Sequence, residues 1–351
     1  MNQNKKTIIL CIGDPHFKVS NIDEVNIFIE RITKLAEEIK PDFIVMMGDL
    51  LDTHEKIHSI PLNKAYEFID KLRKISITYC IVGNHDYYNN SQFLTENHWL
   101  NGMKEWKNVV IIDKVRLVEI NGFNYLLCPY VYPGRFKEAI ETLDVDLKDV
   151  DCIYAHQEFY GCKMGAIVST EGDRWDINNP FIISGHIHSN QKPQENIYYP
   201  GSSMQHAFGE SDRNIIPVLT FVEKNVKPHI EEIDLGLPRK KIIYKDIENI
   251  KNFEIKDTEN KIKLSISGCY EEFKTFKKSG KYKDLIKKGV KVIFKPKKIE
   301  LKTINKIDTD DTSFSDIISL LVKNKKDPYL YQVYEEIINN KIISVDDMIF
   351  L

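Results

Sequence analysis

Short apolar runs alternate with helical periodicity through the first half of the chain. The first apolar run spans residues 7–12 and reads TIILCI, and the next two span residues 43–47 and 77–82. Between them, apolar side chains recur every three or four positions over residues 25–39 and 62–72, which predicts two helices. Strands that are apolar throughout and alternate with helices are typical of a largely parallel sheet covered on both faces.

Later apolar runs extend the pattern to residue 233. They predict strands near residues 125–127, 152–155, 181–184, 197–199, 215–222 and 226–233. The last two runs are separated only by Glu223–Asn225, which predicts a hairpin. Asn21, followed three residues later by Glu24, has the spacing of a helix capping box. The sequence therefore predicts an α/β fold, a large sandwich that closes near Gly236.

The composition changes after this point. Residues 239–306 carry 21 basic against 9 acidic side chains, a local charge of +12, so the rest of the chain carries −15 of the total of −3. The strand-like stretches KLSIS and VKVIF, with helical stretches between them, predict a small α+β module. The remainder is acidic, and helix starts are predicted at Ser313–Asp316 and Asp327–Pro328. The predicted domains are therefore residues 1–236, 237–306 and 307–351.

Composition and cysteine usage exclude several classes of protein. No apolar run approaches the roughly 18 residues of a membrane span, so no membrane association is expected. The apolar stretch after Lys5 and Lys6 is too short for a signal peptide. The six cysteines show no CxxC pairing, which argues against zinc fingers and disulfide scaffolds. We expect a reduced intracellular protein, either cytoplasmic or nuclear, or a viral protein in the host cell.

Five polar motifs each follow a predicted strand. They are GDPH at 13–16, GDLLD at 48–52, GNHD at 83–86, YAH at 154–156 and GHIH at 185–188. In open α/β sheets, functional sites form beyond the carboxyl ends of the strands. We therefore expect these motifs to meet on one rim of the fold.

The residue types in these motifs suit divalent cations. Carboxylate and amide oxygens with imidazole nitrogens favour Mn, Fe, Zn or Mg, and no thiolate selects a softer ion. Asp14 and His16 could hold one ion from one loop, while His186 and His188 could reach two neighbouring ions and Asp49 could bridge them. Two ions about 3.5–4 Å apart can clamp the oxygens of an in-line displacement at phosphorus. Singly, each motif is compatible with a turn or a structural histidine, but all five together favour a metal site.

The five motifs in this order resemble those of the calcineurin-like metallophosphoesterase superfamily, D-x-H, G-D-x-x-D, G-N-H-D/E, H and G-H-x-H, over about residues 7–235. The resemblance implies a metallophosphoesterase β-sandwich flanked by helices in αββα layers, with two divalent ions: manganese, or alternatively magnesium, iron or zinc. The ligands it implies for the first ion are Asp14, His16, Asp49 and His188. Those it implies for the second are Asp49, Asn84, His156 and His186. It also implies that His85 stabilises or protonates the leaving oxygen and that Asp86 orients the His85 ring.

The segment after GHIH is similar to that of SbcD-type and Mre/Rad-type nuclease subunits of double-strand-break repair. PGSS at 200–203 and FGE at 208–210 match the P-G-S and F-G-E of that branch, and GDLLDTHE and HQEF are also similar. The length is close to that of the compact phage-type subunits. This resemblance implies a DNA exo/endonuclease that acts in DNA recombination and repair, with a capping domain, a homodimeric state, and a tail docked on an SMC-like coiled-coil ATPase (SbcC/Rad-type).

Several alternatives stay open at this point. The basic module fits a phosphate-backbone site, but it matches no motif and could be a solvated lysine face. The apolar side chains of the tail could bind a partner or fold back on their own domain. A small-nucleotide phosphodiesterase or a phosphoprotein phosphatase would use the same metal core and need neither module nor tail. A non-catalytic scaffold is disfavoured because every ligand position and His85 are present.

Overall fold

The computed structural model describes residues 6–54, 56–255, 259–297, 314–325 and 327–338. The chain forms two compact units, Met1–Pro296 and Lys297–Leu351. The strands in chain order are β1 (Thr7–Ile12), β2 (Phe43–Met46), β3 (Ile77–Ile81), β4 (Val109–Ile112), β5 (Arg116–Ile120), β6 (Phe123–Cys128), β7 (Cys152–His156), β8 (Lys163–Met164), β9 (Ile167–Val168), β10 (Phe181–Gly185), β11 (Gln191–Gln194), β12 (Ile197–Tyr199), β13 (Ile216–Phe221), β14 (His229–Ile233), β15 (Lys240–Asp246), β16 (Lys261–Gly268) and β17 (Lys291–Pro296). The α-helices are α1 (Ile22–Ile39), α2 (Ser59–Ile75), α3 (Phe136–Ile140), α4 (Tyr270–Lys277), α5 (Gly280–Lys287), α6 (Phe314–Asn324) and α7 (Pro328–Ile338).

Two six-stranded sheets form the centre of the first unit, in the orders β14-β13-β1-β2-β3-β4 and β11-β12-β10-β7-β6-β5. Strands β1 to β4 run parallel, as do β12, β10, β7 and β6 in the second sheet. Antiparallel strands complete the edges, including the predicted β13–β14 hairpin. The predicted α/β sandwich flanked by helices is confirmed.

The strands are apolar throughout because both faces of each sheet are covered. In β1, Ile9 and Cys11 belong to the core between the two sheets, whereas Leu10 and Ile12 pack with the helical layer formed by α1 and α2. A third core, which includes Phe136 of α3, covers the outer face of the second sheet. The alternation of strands and helices in the sequence thus corresponds to the layers of the fold.

The capping box predicted at the start of α1 does not form. The Oδ1 of Asn21 accepts a hydrogen bond from the Lys18 amide at 2.9 Å, and its Nδ2 donates to the His16 carbonyl at 3.0 Å. Glu24 instead forms ion pairs with Lys240 at 2.9 Å and Lys261 at 3.1 Å. That prediction was wrong because both side chains make tertiary contacts, and Asn21 supports the loop that carries His16.

The basic segment contains a separate parallel sheet in the order β15-β16-β17, with α4 and α5 in the connection between β16 and β17. Its core includes Leu264, Ile266, Phe276 and Leu285. The predicted domain boundary at residue 236 falls between β14 and β15.

In the second unit, the described residues form α6 and α7. The predicted start of α7 is confirmed, since the Asp327 carboxylate accepts hydrogen bonds from the amides of Tyr329 at 3.0 Å and Leu330 at 3.2 Å. Ser313, proposed to start the preceding helix, and the predicted boundary at 306/307 lie outside the described residues. Among the described helices, none has the length and apolar character that a bilayer crossing requires.

Candidate metal centre

The five polar motifs meet on one rim of the sandwich. They follow β1, β2 and β3 of the first sheet and β7 and β10 of the second, and the strands in each set run parallel. Side chains of the motifs, together with His206, form three overlapping groups in which one ligand atom per residue lies within 4.8 Å of the others. The groups are His16, His188 and His206; His16, Asp49 and His85; and Asp49, His156 and His186. The topology therefore gathers residues that lie up to 190 positions apart (16 to 206).

One side of the rim places two imidazoles beside Asp49. The Nε2 atoms of His16 and His188 are 3.0 Å apart. The same His16 nitrogen lies 3.7 Å from Oδ2 of Asp49. His16 and Asp49 are almost completely buried, so the cluster opens to solvent on the side of His188. The family resemblance implies that the first metal would bind here.

The other side is built around His156 and Asn84. Oδ1 of Asn84 lies 2.9 Å from Nε2 of His156 and also 2.9 Å from Nδ1 of His186. The Nε2 of His156 is 3.3 Å from Oδ2 of Asp49, so the same carboxylate oxygen borders both sides. The structure thus brings together Asp49, predicted as the bridge, and the three neighbours predicted as ligands of the second metal; their roles as ligands stay predictions.

Four of the predicted ligands adopt left-handed backbone conformations that residues other than glycine rarely occupy. Their φ angles are 34° for Asp14, 44° for His16, 50° for Asp49 and 79° for His186. Hydrogen bonds hold them there: the Asp49 amide donates to Asp86 at 2.9 Å, and the His186 amide donates to Asp14 at 2.9 Å. Such strain persists where the surroundings fix it, and it concentrates at functional sites.

Burial keeps three of the rim histidines neutral. It lowers the pKa of His16 and that of His188 below the usual range of histidine. It also lowers the pKa of His186, to about 3. A neutral imidazole offers a lone pair to a cation. His156 differs: burial alone would lower its pKa, but the Asp49 carboxylate outweighs burial and raises that pKa to about 9. A bound cation would offset the same Asp49 charge, so we expect cation binding to release this proton.

His85 is held by the main chain rather than by Asp86. Its Nδ1 lies 2.9 Å from the carbonyl oxygen of Asp52, and its ring stacks on His54 with centroids 4.6 Å apart. Asp86 accepts hydrogen bonds from the amides of Asp49 and Gly83 at 2.9 Å and from Nε1 of Trp99 at 2.8 Å. The structure thus differs from the expected orientation of His85 by Asp86, because Oδ2 of that carboxylate braces the GDLLD and GNHD loops and Oδ1 is taken by Trp99.

The side chains present fit divalent cations. Oδ2 of Asp14 and Nδ1 of His16 are buried with no hydrogen-bond partner. The facing nitrogens of His16 and His188, at 3.0 Å, need a shared proton or cation between them. Carboxylate oxygens, an amide oxygen and neutral imidazoles are the donor set of Mn, Fe, Zn and related ions. Asp14, His16, Asp49, Asn84, His156, His186 and His188 would hold them.

Two further histidines contribute to the rim that the sequence motifs did not single out. His54 stacks on His85, and His206 packs edge-on against His16 and His188. His206 lies between PGSS and FGE, and its position inside a segment similar to one nuclease branch was the available signal. His58, by contrast, lies just before α2 and is exposed.

The sequence model of the family described as "Calcineurin-like phosphoesterase" matches residues 7–190, slightly more than half of the chain. The chain belongs to the calcineurin-like phosphoesterase family. The five motifs on the rim all fall inside the matched residues.

Viral members of the phosphoesterase family are similar over most of the chain. It is 45% identical over 333 residues to "Putative phosphoesterase 078R" of Invertebrate iridescent virus 3, covering 93% of this chain and 95% of that one. It is 49% identical over 276 residues to "Putative phosphoesterase 244L" of Invertebrate iridescent virus 6, covering 77% and 97%. Among solved structures, YfcE, a phosphoesterase from E. coli, matches with a TM-score of 0.33 and 14% identity, covering 65% of this chain and 100% of that one. That likeness adds nothing to the family assignment.

As a family member, this chain is a metal-dependent phosphoester hydrolase. Bound divalent ions supply the positive charge that activates a nucleophile and stabilises the oxygens at phosphorus. The chain itself provides candidate ligands, most of them buried, at the ends of strands. It also provides His85, whose Nδ1 lies 2.9 Å from the Asp52 carbonyl. The Nε2 of His85 is therefore the ring nitrogen left for the general-acid role that the family resemblance implies for this residue, and that role stays a prediction.

Proposed function

We propose that this phosphoesterase is a manganese-dependent DNA exo- and endonuclease of the SbcD/Mre type that processes DNA ends with an SMC-like coiled-coil ATPase. The observation that carries the proposal is a lysine-bearing sheet in the same compact unit as the metal rim. A small nucleotide or a phosphoprotein side chain would need no such surface. A long polyanion gains affinity from it by releasing counterions.

The lysines of β16 and β17 lie on one face of the β15-β16-β17 sheet. Successive side chains of a strand point to opposite faces, and Leu264 and Ile266 point into the module core. The opposite face of β16 and β17 therefore carries the four lysines Lys261, Lys263, Lys291 and Lys295. Lys261 is paired with Glu24, and Lys295 lies over the exposed ring of Tyr244 at 5.8 Å. We call Lys263, Lys291 and Lys295 the lysine face.

The PGSS–FGE segment connects this module to the metal rim. His206 approaches the Asp14 carbonyl at 2.9 Å, while its neighbour Gln205 accepts a hydrogen bond from the Lys240 amide at 2.6 Å. Further along, the ring of Phe208 lies 5.6 Å from the Lys263 ammonium. A segment of four residues, 205–208, thus contacts both the candidate metal centre and the basic sheet, which favours one substrate spanning the two.

The ATPase partner is proposed to bind the tail helices. The described parts of α6 and α7 expose apolar side chains, among them Leu320, Leu321, Leu330, Ile337 and Ile338. Exposed clusters of this kind mark protein-binding surfaces. The middles of the two helices are joined by a contact of 2.6 Å between the Ser319 and Tyr334 hydroxyls, so the pair could dock as one element.

The test compares two substrates for the purified chain with Mn²⁺. A nuclease cleaves linear duplex DNA and also hydrolyses a small diester such as bis(p-nitrophenyl) phosphate, and only DNA cleavage weakens steeply as salt is raised. Hydrolysis of the small diester with no cleavage of DNA, even with a coiled-coil ATPase partner added, would contradict the nuclease and favour a small-molecule phosphodiesterase.

A further inference from the structure

His206 lies against two ligands of the predicted first metal site. Its ring centroid is 4.7 Å from that of His16 and 5.0 Å from that of His188, with edge-on geometry in both pairs. One ring nitrogen from each of the three histidines falls within 4.8 Å of the other two. Three imidazoles therefore converge where the sequence motifs predicted two.

A hydrogen bond fixes which nitrogen of His206 carries the lone pair. Its Nε2 lies 2.9 Å from the main-chain carbonyl of Asp14, and a carbonyl oxygen can only accept. The Nε2 therefore bears the hydrogen, and in a neutral ring the lone pair is on Nδ1. That Nδ1 is buried and has no hydrogen-bond partner. A buried acceptor with no partner in a cluster of metal-binding side chains indicates a ligand that belongs there.

We propose that His206 is an additional nitrogen ligand of the first metal site, coordinating through Nδ1 and oriented by its Nε2 hydrogen bond to Asp14. Metal-binding histidines are commonly oriented in this way by a hydrogen bond from the other ring nitrogen. The site then has three imidazoles with the carboxylates of Asp14 and Asp49. A third imidazole favours transition metals over Mg²⁺, which prefers oxygen. The inference rests on the family's use of divalent metals and holds whether or not DNA is the substrate.

The experiment uses two substitutions of His206, each of which keeps a polar atom near one of the two ring nitrogens. Asn places its amide near Nδ1 and Gln places its amide near Nε2, so His206→Asn keeps a donor for the metal while His206→Gln keeps the hydrogen bond to Asp14. His229→Gln is the matched control, because His229 is exposed on β14 and pairs with Thr220 near the opposite end of the sheet. Full-length metal-free proteins are titrated with Mn²⁺, and free Mn²⁺ is measured by electron paramagnetic resonance.

We expect wild type and the control to bind two ions with the same affinities. His206→Gln should weaken one of the two by at least about tenfold, the lower end of the effect of removing a partner from a metal site. His206→Asn should stay within about threefold of wild type, since its amide oxygen replaces Nδ1 as donor. Discrimination between Mn²⁺ and Mg²⁺ should fall in the Gln variant only.

Wild-type Mn²⁺ affinity in His206→Gln would overturn the proposal. Weakening in His206→Asn alone, or equal weakening in both variants, would also overturn it, because the Asp14 contact or the loop would then be responsible. If His206→Gln does not fold, as judged by its melting transition, His206→Ala is titrated with and without imidazole. Recovery of the lost affinity by imidazole supports ligation, and no recovery contradicts it.

Discussion

Asp49 is the residue on which the two sides of the rim converge. Its Oδ2 lies 3.3 Å from His156 and 3.7 Å from His16, while its Oδ1 accepts a hydrogen bond from the His85 amide at 2.8 Å. Burial by itself would raise the pKa of Asp49, but the neighbouring His156 and His16 hold it below its usual range. The carboxylate is therefore charged and fixed in place before any cation binds.

Replacing Asp49 with alanine should remove both metal ions, because the one oxygen that borders both groups of ligands is lost. We expect hydrolysis of a small phosphodiester to fall by at least about 100-fold, the size of the effect of a positioned catalytic group. Bound manganese, measured by mass spectrometry of the desalted protein, checks the cause. Asp144→Ala is the control, since Asp144 is exposed and belongs to none of the groups of rim ligands. Two manganese ions still bound to the Asp49→Ala protein would contradict the bridging role of Asp49.

Gly83 tests how closely the rim is packed. A Cβ atom at this position would lie 2.2 Å from Oδ1 of Asp49 and 2.5 Å from its amide nitrogen. Gly83→Ala should therefore displace Asp49, destabilise the fold by about 1–3 kcal/mol and lower the Mn²⁺ affinity. Gly280→Ala is the matched control, because nothing lies within 4 Å of a Cβ there. Unchanged melting temperature and metal affinity in Gly83→Ala would show that the loop can move freely.

At the residue scale, the sequence predicts the motif residues of the rim, but not every residue that lies beside them. Asp14, Asp49 and His186 are recognisable because each directly follows a glycine at the end of an apolar strand. His206 and the stacking of His54 on His85 depend on how distant loops pack, and no local spacing encodes that. Likewise, Asn21 and Glu24 have the spacing of a cap, yet partners from elsewhere in the fold outcompete the helix end.

At the scale of elements, the proposed nuclease activity depends on the basic sheet. Reversing the charge of the lysine face (Lys263→Glu, Lys291→Glu and Lys295→Glu together) should weaken binding to duplex DNA. Each lost phosphate contact reduces the slope of log affinity against log salt by about 0.9, so the triple variant should lose up to about 3 units of slope. Binding is measured by fluorescence anisotropy at several salt concentrations.

A control with the same change in net charge places Glu at Lys34, Lys114 and Lys137 instead, which are exposed lysines of the phosphoesterase sandwich. It should keep most of the wild-type slope. An identical slope in wild type and the lysine-face variant would show that this sheet surface is only solvated.

Elements with strong local patterns are those the sequence predicts well. The apolar strands β1, β2 and β3 and the helices α1 and α2 are recognisable because burial on both faces, or on one stripe, sets their residue pattern. Strands β4, β5, β8, β9, β11 and β15 were not predicted. The β5 strand is an edge strand with mostly exposed side chains, so its sequence carries little of the alternation that marks a buried strand.

At the scale of the whole molecule, the charge is divided between parts with different proposed partners: the basic module for DNA and the acidic tail for an ATPase. Deleting residues 307–351 should abolish co-purification with a co-expressed coiled-coil ATPase. It should leave hydrolysis of a small phosphodiester within about twofold of wild type, because no residue of the rim is removed. Retention of the ATPase by the truncated chain would show that the tail is not its docking site.

The long-range pairings of the whole chain are what the sequence could not provide. β1 pairs on one side with β2 and on the other with β13, so that Thr7 is opposite Phe221. Runs of apolar residues indicate that strands exist, but many partners satisfy the same pattern. The order of strands therefore required the structure, and the meeting of the five motifs on one rim follows from that order.

The central claim is tested most directly by hydrolysis of end-labelled linear duplex DNA, with Mn²⁺ or with EDTA, by wild type and His85→Ala. We predict Mn²⁺-dependent release of labelled nucleotides by wild type and a rate about 10²–10⁴-fold lower for His85→Ala, with two ions still bound in the variant. DNA left intact by wild type with Mn²⁺ and the ATPase partner present, or cleavage at the wild-type rate by His85→Ala, would contradict the account.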